Sequence, residues 1–234
     1  MSSSFTLPRT NPPVTVTLIQ DLSQDQLLSF TVFKTWLNTL QNSLSTQQVP
    51  NHPFHASPYK LRRIDIQTVD FFGGSRIGFV KLKAEVSSDD GQKLPGSVFL
   101  RGGSVGMMVR TLDKFFGSET DKHVILTVQP RVPAGSLALV ELPAGMIDDA
   151  GTFAGAAAKE ITEETGLEIP SDNLINMTEM ALPESNGANT ERLQRAMYPS
   201  AGGSDEFIPI FLWQKRVPRD TLKEWQGKLT GKQA

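Results

Sequence analysis

The sequence predicts an α/β protein, and three stretches carry that expectation. Between residues 59 and 112 apolar residues recur with period two, interrupted by Gly73-Gly74 and Asp89-Asp90-Gly91, the pattern of antiparallel strands joined by hairpin turns. Residues 141–167, ELPAGMIDDAGTFAGAAAKEITEETGL, read as a strand, a glycine-broken loop and a short helix. Near the start, Leu27, Phe30, Val32, Phe33, Trp36, Leu37 and Leu40 recur at helical spacing and supply one apolar face.

In chain order, residues 1–13, rich in Ser and Pro, are expected to be disordered. Residues 14–19 alternate Thr with Val, Leu and Ile, as a short strand does. Asp21 or Ser23 caps a helix over 24–44, and 47–58, with three prolines, reads as a linker. Strands are expected over 61–69, 76–86 and 97–100. Those over 105–112 and 123–129 form an antiparallel pair leading into the strand that ends at Leu142. After the helix at 153–165 come a strand over 174–182 and a long polar loop over 183–203, of a length that is functional or mobile in compact domains. A strand over 207–213 and a short helix over 221–228 follow. The expected division is an N-terminal extension with one helix and a linker (1–58), a β subdomain (59–104) and a main domain (105–234).

Within 141–167, Pro143, Ala144 and Gly145 break the first strand, and Asp148, Asp149 and Gly151 make a turn. Thr152 caps the helix and Gly166 stops it in the left-handed way. At about 100° per residue, Ala154, Ala157, Ala158 and Ile161 form a narrow apolar stripe that lets the helix lie close to a sheet. Glu160 and Glu164 fall side by side at the edge of that stripe, with Glu163 just beyond. At an effective dielectric of about 20, carboxylates several ångströms apart repel by on the order of a few kcal/mol per pair. Either they point into open water, as most charge runs do, or a cation sits among them. Oxygen ligands with no Cys or His nearby suit a hard ion, Mg2+ or Mn2+.

Composition narrows the classes. At 234 residues the chain holds one domain with a substantial core, or one domain and a small accessory unit. Its 23 basic and 25 acidic residues give a net charge of −2, which offers no basic footprint for nucleic acid. The absence of Cys rules out a disulfide framework and a thiolate zinc site. His52, His55 and His123 are scattered and read as ordinary residues. No apolar run is long enough to span a membrane, and MSSSFTLPRTNPPV lacks the core of a signal peptide. A cytosolic, soluble protein is expected. The Ser-rich start, free of acid up to Asp21, leaves organelle targeting open.

Arg131, in QPRVPAG, follows a strand and faces the same end of the sheet as the 141–167 loop. It is either a solvated loop cation or a diphosphate clamp, since guanidinium matches phosphate oxygens two at a time. Arg101, in FLRGG, has the same two readings, and Glu206, in AGGSDEF, reads on residues alone as a turn acid.

Gly145, Lys159, Glu160, Ile161, Glu163, Glu164, Gly166 and Leu167, at their spacing, resemble the Nudix box, G-x5-E-x7-R-E-U-x-E-E-x-G-U. Both glycines, all three helix glutamates and both apolar positions are kept, while Gly151 stands for the loop Glu and Lys159 for the Arg. Together with ELPAG, YKLRRIDIQTVDFFGGSRIGFVKLKAEV, GQKLPGSVFLRGG, PSAGGSDE and WQGKLTG, the box is similar to the plant and fungal ADP-sugar diphosphatase group of Nudix hydrolases.

That resemblance implies a Nudix α/β/α sandwich with a mixed sheet, preceded by an N-terminal antiparallel β subdomain and a helix. It implies a homodimer, and Mg2+-dependent (or Mn2+-dependent) hydrolysis of ADP-sugars such as ADP-glucose and ADP-ribose to AMP and a sugar phosphate. It implies metal ligands at the Ala144 backbone oxygen, Glu160, Glu163 and Glu164, with Glu163 or Glu206 as the base. Arg131, Arg101 and Glu141 are the expected substrate-binding residues. The family runs on through a further strand and helix where this sequence ends, an expected departure. With Gly151 and Lys159 it keeps a second reading open: a weakly active or inactive Nudix fold that binds nucleotides or proteins. A third keeps the enzyme and changes the substrate to NADH or another nucleoside diphosphate.

Overall fold

The computed structural model describes residues 3–8, 10–113, 122–147, 152–165, 167–182 and 191–227; the side chains at 112, 113, 160, 161, 164, 165 and 219 lie outside that description. The chain forms two compact units. One comprises Met1–Gly102, Glu184–Gln194 and Tyr198–Glu206; the other comprises Gly103–Pro183, Arg195–Met197 and Phe207–Ala234.

In the first unit, β1 (Ser4–Thr6) pairs antiparallel with β2 (Thr15–Thr17), and β2 runs parallel to β3 (Lys60–Phe72). β3 forms a long hairpin with β4 (Arg76–Ser87), whose other edge takes β5 (Lys93–Leu94) and β6 (Ser97–Leu100). The Gly73-Gly74 turn has φ of +59° and +101°, the left-handed backbone that glycine tolerates at no steric cost. Among the described residues before 14 the expected disorder is not found. Ladder bonds tie β1 to β2, Phe5 packs on the core, and Leu7 and Val14 are buried. A Ser- and Pro-rich composition is overridden once a few apolar residues can join an existing sheet edge.

The helix expected over 24–44 is two: α1 (Gln24–Ser29) and α2 (Thr31–Thr46). Ser23 and Gln26 form a reciprocal capping box that starts α1. Phe30 breaks the run in an extended conformation (ψ 111°) and packs against the core, so burial of its ring outweighs continuity of the helix. Leu27 and Phe33, on either side of the break, are both fully buried with Ile64, Leu82 and Leu100. The linker over 47–58 is a run of turns held at its ends by one side chain. Gln47 donates through Nε2 to the carbonyls of Leu44 (2.8 Å) and Tyr59 (2.9 Å), and its Oε1 accepts the Tyr59 N–H at 2.8 Å.

In the second unit, β7 (Ser104–Asp113) pairs antiparallel with β8 (Lys122–Ile125). β9 (Thr127–Arg131), a 3-10 turn at Val132–Ala134 and β10 (Ser136–Glu141) make a separate antiparallel ribbon. β11 (Ala144–Met146) returns to β7, α3 (Phe153–Thr165) follows, and β12 (Ile175–Asn176) leads into α4 (Met177–Ala181). β13 (Ile210–Val217) runs parallel to β7 and antiparallel to β12, and α5 (Arg219–Trp225) closes the described chain. The order β11-β7-β13-β12, with β8 also on β7, is a mixed sheet, and the architecture is α/β as expected.

Three expectations change here. The single strand over 123–129 breaks at Leu126, and its halves serve different sheets. The strand over 174–182 is two residues of β12 and then a helix, because the Asn176 side chain accepts the Glu179 N–H at 2.9 Å and caps α4. The strand expected over 207–213 lies at Ile210–Val217, where parallel pairing with β7 holds it in register from Ile210 opposite Gly106 to Val217 opposite Asp113.

Candidate active site

The described residues of the 141–167 stretch form the expected strand end and helix, with one strand more. Glu141 ends β10, and after Pro143 the chain re-enters a sheet as β11, with Ala144 opposite Gly106 and Gly145 opposite Val105. The Pro143 carbonyl accepts the Met107 N–H at 2.8 Å, so the proline closes the ladder as acceptor while its missing donor costs nothing. Asp148, Asp149, Gly151 and Gly166 lie outside the described residues. Thr152 starts α3 as expected, its Oγ1 accepting the Gly155 N–H at 3.1 Å.

α3 packs on β7 and β11 through Phe153, Ala154, Ala156 and the fully buried Ala157, against Val105, Met107 and Val109. Small residues at this face let helix and sheet approach closely. Ala158, assigned to the stripe by periodicity, lines an open surface depression instead, with Lys159, Thr162, Glu163, Glu168, Ile169 and Pro170. Lys159 and Glu163 are exposed. The side chains of Glu160 and Glu164, expected side by side at the edge of the stripe, lie outside the described residues. At the helix end the Thr162 hydroxyl is within 3.0 Å of the Ala158 carbonyl and 3.1 Å of that of Leu167, tying the chain after the helix back onto it.

Arg131 and Glu141 meet. Arg131 donates through Nε (2.9 Å) and Nη2 (2.5 Å) to Glu141 Oε1, so two of the expected substrate residues are joined by their side chains along the β9–β10 ribbon, although Arg131 lies opposite Ser136 beside the turn and Glu141 opposite Thr127 at the other end. Arg101 and Glu206 meet in the first unit, Nη1 to Oε1 at 2.9 Å, with Glu206 the more hidden of the two (14% against 32% exposed). Beside them is a residue that sequence reasoning passed over. Asp205 Oδ1 accepts the backbone N–H of Arg101 at 2.8 Å and of Gly102 at 3.2 Å. Burial pushes the Asp205 carboxyl up from its ordinary range, although these amides favour its charge. Burial, with the Asp205 charge adding, likewise raises the Tyr198 hydroxyl above its ordinary value. In SDE the signal was a second acid next to the one already singled out.

Among the described residues no group of three His, Asp or Glu stands close enough to hold a metal ion. The donor chemistry nevertheless fits a hard divalent cation: a backbone oxygen at Ala144 on β11, and glutamates at 160, 163 and 164 on the helix that packs against that strand, with no cysteine in the chain to offer a thiolate.

The NUDIX domain model matches residues 115–227. Nudix hydrolase 14, chloroplastic, of Arabidopsis thaliana is 33% identical over 237 residues, covering 99% of this chain and 70% of that protein. The chain belongs to the Nudix hydrolase family. It is an enzyme of the class that hydrolyses pyrophosphate linkages in nucleotide derivatives, generally with a divalent metal. The crystal structure of an ADP compounds hydrolase is also similar, at TM-score 0.39 and 16% identity over 69% of this chain and 74% of that one. No helix among the described residues is long and apolar enough to cross a membrane.

Proposed function

We propose that this Nudix hydrolase cleaves the diphosphate bond of ADP-sugars, ADP-ribose and ADP-glucose, to AMP and a sugar phosphate, with Mg2+ or Mn2+. The observation that carries the reading is the β11–α3 unit, in which the Ala144-Gly145 strand lies against a helix bearing glutamates at 160, 163 and 164. The Ala144 backbone oxygen and those three glutamates would hold the metal, which when bound supplies charge neutralisation at the phosphate oxygens. Glu163, exposed, or Glu206, held beside Arg101, takes the proton from the attacking water.

Arg131 recognises the diphosphate by exchanging its bond to Glu141 for phosphate oxygens, and the guanidinium fork suits either partner. Glu141 then accepts from the substrate's hydroxyls, and Arg101 offers a second cation. Lys159 keeps the charge of the family's Arg but offers a point charge in place of a planar fork.

A homodimer completes this reading. The ribbon β9–β10 exposes Val128 (64%) directly opposite Val140 (60%), and Leu137 and Val132 beyond them, a contiguous apolar face of the kind that marks an interface. The relative's name supports the organelle alternative for location over a purely cytosolic one.

The deciding experiment is Mg2+-dependent release of AMP from ADP-ribose and ADP-glucose by the wild type beside Glu164→Gln. The variant should lose at least about 100-fold in kcat, as removal of a group acting on transition-state charge does. Equal rates for the two proteins would overturn the metal assignment. Binding of ADP-ribose without turnover at saturating Mn2+ would replace the enzyme by a binding module.

A further inference from the structure

The loop that ends at Glu206 is stitched to the end of β6 in parallel register. Phe99 and Ser204 form a bridge, the Phe99 N–H donates to the Gly203 carbonyl at 2.8 Å, and the Asp205 N–H donates to the Phe99 carbonyl at 3.4 Å. One further step of such a ladder would send the Arg101 N–H to the main-chain carbonyl of Asp205. It goes to that residue's side chain instead, at 2.8 Å, and the next amide, of Gly102, converges on the same oxygen at 3.2 Å.

Gly102 has φ +82°, a left-handed backbone that glycine tolerates, so the chain turns away directly after the two N–H groups that face the Asp205 carboxylate. With a carboxylate in the ladder position, the main chain at 205–206 is released to turn. The Glu206 N–H donates to Ser204 Oγ at 3.2 Å, and the Glu206 carboxylate meets the Arg101 guanidinium at 2.9 Å.

We propose that Asp205 is a positioning residue: its carboxylate ends the ladder, anchors the backbone of Arg101 and Gly102, and thereby sets the Arg101–Glu206 pair in its working geometry. The proposal rests on the function inferred above for that pair. It assigns Asp205 no contact with substrate.

The test compares AMP release from ADP-ribose by wild type, Asp205→Ala, Asp205→Asn, Glu206→Gln and the Asp205→Ala/Glu206→Gln double variant. Loss of the clasp should lower kcat by roughly 100-fold, the scale of a misplaced catalytic group. Asn, which keeps an acceptor oxygen at the same place, should recover most of that loss. In the Glu206→Gln background the effect of Asp205→Ala should nearly vanish, since residues acting as a unit are non-additive. Full turnover by Asp205→Ala, or losses that simply multiply in the double variant, overturns the proposal.

A second readout needs no substrate. Backbone amide exchange across residues 100–103 should be slow in the wild type and in Asp205→Asn and fast in Asp205→Ala; unchanged exchange in Asp205→Ala overturns the clasp. A wild type that releases no AMP would overturn the parent reading alone, and the exchange result would still decide this one.

Discussion

Phe33 on α2 is fully buried, whereas Leu137 on β10 is 81% exposed. The contrast extends to their surroundings. In the first unit the large apolar side chains of the sheet and of both helices close on one another, and Ile64, Val80, Leu82 and Leu100 see no solvent. The second unit has a tight centre at Val105, Met107, Val109 and Ala157, yet Val124, Leu126, Val128, Val132, Leu137 and Val140 lie exposed along β8, β9 and β10. A two-stranded ribbon is marginal in water by itself. The first unit covers most of its apolar surface with its own chain, leaving Phe54, Leu94 and Leu193 exposed, and the second carries a face that calls for a cover.

The largest effect that sharpens this comparison is Phe33→Ala. Emptying a fully buried ring site should cost about 3–5 kcal/mol in urea unfolding. A loss under about 1 kcal/mol would mean that this core is looser than its burial implies. The ribbon should answer differently. Val128→Thr with Val140→Thr should leave the unfolding free energy of the dilute chain within about 0.5 kcal/mol. It should weaken self-association roughly tenfold, or about 1.4 kcal/mol, measured by sedimentation. Unchanged association, or a wild type that does not self-associate, would remove the ribbon from the proposed dimer contact, and a large loss of stability in the dilute chain would erase the contrast itself.

Arg131→Ala separates folding from function within the second unit. Its ion pair with Glu141 is partly exposed, so stability should fall by less than about 1 kcal/mol. KM for ADP-ribose should rise tenfold or more, the measure of a lost charge-assisted contact; an unchanged KM would sink the clamp. The smallest effect lies back in the first unit. Arg63, hydrogen-bonded to Asp65 at 2.7 and 2.9 Å through Nε, holds that carboxyl below its ordinary range. A depressed folded value stabilises above the unfolded carboxylate range and loses that contribution as pH falls through the folded value. Asp65→Asn should therefore flatten the acid side of the stability profile slightly, and an identical profile would show that solvent screens the pair completely.

Much of this was legible in the sequence. Period-two runs located β3, β4, β6 and β7, and small residues with an N-terminal Thr located α3 to the residue. What escaped were single-residue decisions made by packing. Phe30 reads as helical until its ring finds the core, and Leu126 reads as mid-strand until β8 and β9 join different partners. Asn176 is the instructive miss. Its capping pattern, with Glu179 three residues on, was present in the sequence and was outweighed by the apolar residues around it. At the candidate site the helix glutamates stood out by spacing, whereas Asp205 could not. An acid in a Gly- and Ser-rich loop looks solvated until the register of β6 with that loop brings two amides to it.

The side chain of Gln47 has a practical consequence. Because one primary amide both donates to and accepts from Tyr59, the excursion between these residues starts and finishes at the same spot whatever its interior contains. A glutamate there would forfeit the donors and open the neck. With the amide in place, the exposed stretch around Asn51 is a port where a fluorophore or affinity tag can be spliced in without disturbing either end.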